Sequence, residues 1–422
     1  MAHVLACPTE PLEPMKIFVL NGGSSTLKAT LREMGDDCLP ADPTPALWDA
    51  YAEWGRQSGK ARIRVRAGAA SQETGIDIEA PRDVLRPVIE SLWNGPARAV
   101  ESPHEIAAAG HRVVHGGRLF QEARRVTPEV MEGIDRCAAF APEHNPFQLQ
   151  GIQAAERALG PGVPQIAVFD TAFHSTLPLC ARVYGVPYEW YESGVERYGF
   201  HGISHKYAAR RAAQILRRDP AGLRLIDCHL GNGASLAAIE SGRSVDTTMG
   251  FTPLEGLVMG TRSGSIDPAI PVYLMRSRGY SADRLDRALN KESGLKGVSG
   301  LSGDMREILA AIDGGNQRAQ LAFDVYAHRL VREIGGMAAS LGGLDALVFT
   351  AGIGENCPPL REAVCRNLAF LGVRLDPEKN AAPLMDSDIA AADSATRVLV
   401  VHAEEDWEIA CECRRILNGP GA

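Results

Sequence analysis

The chain has 422 residues, of which 44 are basic and 52 acidic, for a formal net charge of −8. A hydrophobic content of 45% with 23% charged residues is ordinary for a folded protein and excludes collagen-like, coiled-coil and disordered classes. The acidic balance argues against nucleic acid, and no apolar run approaches the ~20 residues of a membrane span, so a small molecule is the expected partner and any anion must be attracted locally.

Residues 1–14 carry Pro8, Pro11 and Pro14 without periodicity, which reads as a disordered leader or a misassigned start ahead of Met15. They lack the basic region and apolar stretch of a secretory signal. The nine cysteines (Cys7, Cys38, Cys137, Cys180, Cys228, Cys357, Cys365, Cys411 and Cys413) are scattered without a C-x-x-C pair. That is the usage of a reducing compartment, so the expected location is the cytoplasm.

From Lys16 the pattern changes to Ile17-Phe18-Val19-Leu20, a buried strand running into the turn Asn21-Gly22-Gly23, and residues 26–31 alternate as a second strand. A hairpin of the same design follows about 200 residues later, with 223–230 as its first strand, 231–235 as the glycine turn and 236–239 as the return. Two such hairpins imply an α/β protein of two related halves. Between 36 and 103 one strand is expected at 61–66 and one helix at 82–93. Further helices are expected at 145–159, 205–217, 284–289, 318–340 and 358–371, and strands at 165–169, 346–350 and 398–401. Alternating strands and helices imply a parallel or mixed sheet covered by helices.

Several motifs could carry chemistry. The turn from Asn21 to Lys28 offers backbone N–H groups and a lysine to a phosphate, although a plain hairpin turn has the same composition. His229-Leu230-Gly231-Asn232-Gly233-Ala234-Ser235 repeats the device with a histidine, and two such loops together could hold a polyphosphate. Phe349-Thr350-Ala351-Gly352-Ile353-Gly354-Glu355-Asn356 breaks a strand into glycines that suit a nucleotide or a tight strand-to-helix turn. Arg112 and Arg262 lie among small residues, where a planar fork suits phosphate or carboxylate. His144, Asp170, His174, His201 and His205 concentrate titratable groups. With Gly202 and an expected helix start at Ser204 between them, His201 and His205 need not share a face, which makes a zinc site the inferior reading. These parts suit phosphoryl transfer, which depends on positioning and charge neutralisation.

The stretches NGGSSTLK, GHRVVHGG, APEHNP, VFDTAFHSTLP, RYGFHGISHKY, CHLGNGASLAAI, SVDTTMGFTPLEGLVMGTRSGSIDP, LNKESGL, FTAGIGEN and HAEED, spread over 16 to about 410, closely resemble the acetate and propionate kinase family. The resemblance implies a duplicated ribonuclease-H-like fold with two domains closing on a cleft, a homodimer, and reversible γ-phosphoryl transfer from ATP to acetate with magnesium or manganese. The expected domains are 15–168 with 404–422, and 169–403. Asn21 and Glu405 match metal-placing positions, and Thr26 and Lys28 match phosphate-loop positions, where serine is usual in place of Thr26. Arg112 and Arg262 match the arginines on the acyl carboxylate and the transferring group. Asp170 matches the catalytic acid, and His201 the histidine that stabilises the transition state, with His144 and His229 nearby. Leu230 to Gly233 match phosphate contacts. Asp304, Met305 and Arg306, with Gly352, Ile353, Gly354, Glu355 and Asn356, match adenosine segments.

The acyl pocket would comprise Val114, Phe200 and Pro253, with Glu143 where leucine is usual. A carboxylate is unfavourable there unless it turns to solvent or meets a cation. HAEED lacks the usual Thr-Asn, leaving Glu404 and Glu405 as rivals for the metal position. The rival functions are another short-chain acyl kinase and a non-catalytic nucleotide-binding regulator.

Overall fold

The computed structural model describes residues 14–23, 25–35, 42–55 and 59–419. The expected leader, apart from Pro14, lies outside the described residues. The chain forms two units, Met1–Ala172 with Glu404–Ala422, and Phe173–Ala403. The boundary falls four residues later than 168/169, which keeps Asp170 with the strand that precedes it.

Unit 1 holds an eight-stranded sheet. Its strands are β1 (Met15–Gly22), β2 (Thr26–Met34), β3 (Trp48–Trp54), β4 (Lys60–Ala67), β5 (Ala70–Asp77), β6 (Ile106–Val113), β7 (Arg124–Arg125) and β8 (Gln165–Phe169), in the order β5-β4-β3-β2-β1-β6-β8-β7. Unit 2 holds six: β9 (Arg224–Leu230), β10 (Ala234–Glu240), β11 (Arg243–Thr247), β12 (Ala346–Thr350), β13 (Ser387–Asp388) and β14 (Arg397–Val400), in the order β11-β10-β9-β12-β14-β13. In each unit three strands form an antiparallel meander, and the first then pairs in parallel with a fourth, itself parallel to a fifth: β3-β2-β1-β6-β8 in one, β11-β10-β9-β12-β14 in the other. The same five-strand order with the same directions in both halves is the duplicated ribonuclease-H-like plan.

Burial explains the strand sequences. The central strands are covered on both faces, so Ile17 to Leu20, Leu225 to Leu230 and Ala346 to Thr350 are continuously buried. β4 has one wet face, so Ala61, Ile63 and Val65 point in while Arg62, Arg64 and Arg66 point out. Trp48, Phe18 and Trp54 fill the core beneath the meander together with Val88 and Ile89. The last helix, Glu405–Leu417, returns to unit 1 and buries Trp407, Ile409 and Ala410 against its sheet.

Some elements differ from expectation. The single strand at 61–66 is flanked by two more. β3 hides its pattern by using Ala50 and Ala52 as inward residues, and β5 is an exposed edge with no apolar face to show. The helix at 82–93 is a 3₁₀ turn, Pro81–Val84, followed by the short helix Leu85–Glu90. The helix at 284–289 runs from Ala282 to Lys291, capped by Ser281, and that at 358–371 ends at Asn367. A separate helix, Ala351–Asn356, occupies the glycine segment FTAGIGEN before the one that Pro358 opens. The helix expected at 205–217 is Gly202–Leu216, three residues earlier, because His201 itself serves as its N-cap.

Candidate active site

In unit 1 the candidate residues gather at the carboxyl ends of three adjacent parallel strands, where ligands sit in open α/β sheets. Asn21 is near the end of β1 and Arg112 near the end of β6, while Asp170 follows β8 directly. The Arg112 guanidinium donates from Nε (3.0 Å) and Nη2 (2.6 Å) to Asp170 Oδ2, and from Nη1 (3.1 Å) to Asn21 Oδ1. Asn21 Nδ2 donates to Glu405 Oε2 at 3.0 Å and to Asp406 Oδ1 at 3.2 Å. Lys28 Nζ lies 2.7 Å from Asp406 Oδ2.

Glu405 therefore stands with Asn21, 4.0 Å from Arg112 Nη1. Glu404 is instead paired with Arg32 at 2.6 Å. Burial alone would lower the Arg112 pKa, but Asp170 and then Glu405 hold it above its usual value. Burial pushes the Asp170 carboxyl up, against the pull of Arg112. Among the described residues its Oδ1 is buried without a hydrogen-bond partner, an acceptor whose desolvation they leave uncompensated.

The hairpin turn beneath this cluster is tight. Gly23 N donates to Thr26 O at 2.8 Å, and a Cβ at Gly22 would come within 2.9 Å of the Phe147 ring. Val114 is buried, and its N–H donates to Gln148 Oε1. His144 is the N-cap residue of the helix Asn145–Leu159, and Glu143, one residue earlier, is exposed.

In unit 2 the second hairpin and the helix Gly202–Leu216 bring histidines together. His201 and His229 stack with ring centroids 4.2 Å apart. His229 Nδ1 shares a 2.8 Å hydrogen bond with Ser204 Oγ. His201 has φ of 55°, a left-handed conformation that costs a non-glycine residue about 1–3 kcal/mol and occurs preferentially at functional sites. A Cβ on Gly233 would lie 3.4 Å from both Arg262 Nη atoms and 3.4 Å from His201 Cε1, so glycine lets the guanidinium lie close to the turn. Arg262 Nη1 donates to Pro253 O at 2.9 Å, and the Phe200 carbonyl meets His174 Nε2 at 3.0 Å. Asn232 Oδ1 fills the space where a Gly260 Cβ would stand, with Gly303 O beside it.

The segments matched to adenosine are internally tied. Asp304 caps the helix Met305–Asp313 and pairs with Arg306 at 2.6 Å, while Met305 is buried. Glu355 accepts from His402 Nδ1 (2.7 Å) and Ala403 N (3.0 Å), and Asn356 Nδ2 donates to Gly352 O. Gly352 is open, Ile353 half-buried, and Gly354 packs on Leu230. Arg361, absent from the sequence reading, is fully buried and donates to Asn380 Oδ1, Asn380 O, Gly354 O and Glu355 O, which pins this segment. Its only sequence signal is an arginine inside an otherwise apolar helix face.

The structure thus joins Asn21, Lys28, Arg112, Asp170 and Glu405 in unit 1, and His201, His229, Gly233 and Arg262 in unit 2. Asp227, Ser235 and Asp406 were missed as site residues. Asp227 sits in a strand that reads as core, and Ser235, counted with the turn in the sequence, lies in β10.

The Acetokinase family model matches residues 16–411. The acetate kinase of Gloeobacter violaceus is 56% identical over 399 residues, covering 94% of this chain and 98% of that protein. The crystal structure of Porphyromonas gingivalis acetate kinase superposes with a TM-score of 0.87 at 39% identity, covering 96% of this chain and 100% of the other. A propionate kinase from Francisella tularensis gives 0.85 at 36%, covering 94% and 98%. Likeness of this extent leaves one assignment: the chain belongs to the acetokinase family.

Proposed function

We propose that the protein is an acetate kinase, which transfers the γ-phosphoryl group of ATP directly and reversibly to the carboxylate of acetate, giving acetyl phosphate and ADP. The observation that carries this reading is the cluster of Arg112, Asp170, Asn21 and Glu405 at the ends of β1, β6 and β8, in a member of this family. Acetate is already ionised at neutral pH, so the acceptor needs orientation and charge neutralisation more than a base. Arg112, fixed on one side by Asp170, is the fork for the acyl carboxylate, and Arg262 beside His201 serves the transferring phosphoryl group. Lys28 and the N–H groups of Leu230 to Gly233 serve the nucleotide phosphates. The Gly352 to Asn356 segment and Asp304 to Arg306 serve the adenosine, which requires the Asp304–Arg306 pair to open toward it.

Among the described residues no group of three or more His, Cys, Asp or Glu could hold a metal. Magnesium, which keeps its waters and substrate phosphates and takes only one or two protein carboxylates, does not need one. The oxygens of Asn21 and Glu405, with the unpartnered Asp170 Oδ1 beside them, are hard donors that fit it. When bound with ATP, magnesium neutralises charge on the phosphate oxygens.

The helix Ala269–Arg278 buries none of its residues and exposes Ile270, Val272, Tyr273 and Met275. That surface supports a homodimer, checked by light scattering, with Tyr273→Glu shifting it toward monomer. Cys137, Cys180, Cys228, Cys357, Cys365 and Cys413 form no disulfide among the described residues, which supports a cytoplasmic location. Hydroxamate detection of acyl phosphate tests the reaction. A wild type that phosphorylates no short-chain acid while binding ATP would leave the nucleotide-binding regulator as the reading.

A further inference from the structure

Four side chains of unit 2 form an unbroken hydrogen-bonded row. Asp227 Oδ2 lies 2.6 Å from His205 Nδ1, His205 Nε2 lies 2.8 Å from Ser235 Oγ, and Ser235 Oγ lies 2.9 Å from His201 Nδ1. Asp227, His205 and Ser235 are wholly buried, and His201 is partly exposed. The fold places them simply. Asp227 and His229 share one face of β9, and Ser235 is directly opposite His229 in β10. His201 and His205, four apart at the start of the helix packed on β9, both reach that face. The earlier helix start corrects the expectation that the two histidines need not share a face.

We propose that Asp227, His205 and Ser235 are positioning residues forming a buried proton relay, which keeps His201 an Nε2–H donor and lets it become positively charged during transfer without drawing a proton from solvent. This rests on the acetate kinase reading for the role of His201.

Aspartate, histidine and serine at these distances also describe a nucleophilic triad. Ser235 is fully buried and its oxygen is held by two imidazoles, so it does not act as a nucleophile.

The protons balance between two states. In the neutral state, Asp227 Oδ2–H donates to His205 Nδ1, His205 Nε2–H to Ser235 Oγ, and Ser235 Oγ–H to His201 Nδ1, while His201 carries its own proton on Nε2. Moving one proton across each hydrogen bond in turn gives the Asp227 carboxylate, a neutral His205 protonated on Nδ1, an intact Ser235 hydroxyl and a His201 imidazolium. Four protons are present in each state, no bond between heavy atoms changes, and His201 donates from Nε2 in both.

The surroundings favour the neutral state at rest. Asp227 Oδ1 meets no hydrogen-bond partner among the described residues, and burial pushes this carboxyl up to about 8. A phosphoryl group whose negative charge approaches His201 favours the ionic state instead. The other ionisable neighbours are His229, stacked on His201; Arg262, across Gly233; and His174, edge-on to His205 at 5.6 Å. Burial holds His174 down at about 3, so it stays neutral. β12, alongside β9, contributes no ionisable side chain.

A double-mutant cycle tests the relay in the full chain. Ser235→Ala should lower kcat by about tenfold to a hundredfold, leave KM for ATP and acetate within about twofold, and shift the pH profile of kcat. Combined with His201→Ala it should add almost nothing, because it acts through His201. Losses that multiply independently, or a loss confined to KM, would overturn the relay. Should Ser235→Ala fold poorly by circular dichroism, Asp227→Asn enters the same cycle with the same expectation. A second readout does not need activity. In protein labelled with ¹⁵N-histidine, Ser235→Ala should change the nitrogen shifts of His201, and unchanged shifts refute the proposal. A wild type inactive on every acid would remove the acetate kinase reading and leave this spectroscopic result to decide the relay.

Discussion

The two units carry the same five-strand plan and put their polar residues at the same end of it, yet they stock that end differently. In unit 1 the ends of β1, β6 and β8 hold fixed charges: Arg112 against Asp170, Lys28 against Asp406, with Glu405 between. In unit 2 the hydroxyl of Ser235 holds His201 and His205, that of Ser204 holds His229, and Arg262 donates to a carbonyl. Unit 1 is built to hold ions of settled charge, and unit 2 to adjust charge by moving protons. A duplicated fold supplies a common address for ligands, and the side chains set the chemistry at each copy.

The largest expected effect breaks the fixed-charge half. Arg112→Ala removes three donors and leaves Asp170 as a buried carboxylate without its cation, so kcat/KM for acetyl phosphate formation should fall by about 10³ or more. Arg112→Lys should recover little, because an ammonium cannot bridge Asp170 Oδ2 and Asn21 Oδ1 with the same fork. Full kcat in either variant would remove Arg112 from the mechanism.

Next comes the support of the segment proposed to serve the adenosine. Arg361→Met strips four hydrogen bonds, three of them from buried acceptors, and should cost roughly 3 kcal/mol of unfolding free energy. Denaturant melts measure it, together with a rise in KM for ATP that a purely global loss would not bring.

The protonation contrast yields a pH dependence. Burial holds His174 at about 3 in the folded state, against an unfolded value near 6.5. Below pH ~6.5 the unfolded chain takes up a proton that the folded one refuses, so stability falls as pH drops toward 3 and is recovered above 6.5. From pH 7 to pH 5 this one histidine should cost about 2 kcal/mol. His111 and His115 in unit 1, each held near 4 by burial, add losses of the same sign. Urea midpoints at the two pH values should lie closer together in His174→Gln than in wild type.

These expectations show where the sequence was readable. Strands buried on both faces, such as 165–169 and 346–350, announce themselves as unbroken apolar runs, and the repeated glycine hairpin betrays the duplication before any coordinates. β3 and β5 stay hidden because small alanines fill one inward face and an edge strand has no inward face to display. Arg112, Arg262 and the histidines stand out as polar residues among glycines. Asp227, Ser235 and Arg361 do not, since a buried polar group in a core element looks like noise until its partners, up to 34 residues away in sequence, are seen beside it.

The smallest expected effect concerns Glu143, the carboxylate at the position where the resemblance implies an apolar residue of the proposed acyl pocket. It is exposed and sits immediately before the N-cap His144 of the helix Asn145–Leu159, where the positive end of the helix dipole favours an anion by about 0.3–1 kcal/mol. Helix position therefore gives a physical reason for a carboxylate here that owes nothing to the substrate. If Glu143 nevertheless borders the acyl group, Glu143→Leu should raise kcat/KM for propionate relative to acetate, because an added methylene gains about 1–3 kcal/mol only against an apolar wall. The same variant should lose a few tenths of a kcal/mol in stability as the helix loses its anion. A propionate-to-acetate ratio that stays within twofold of wild type, with that small loss of stability, would make Glu143 a helix-end residue alone and narrow the proposed acyl pocket to Val114, Phe200 and Pro253.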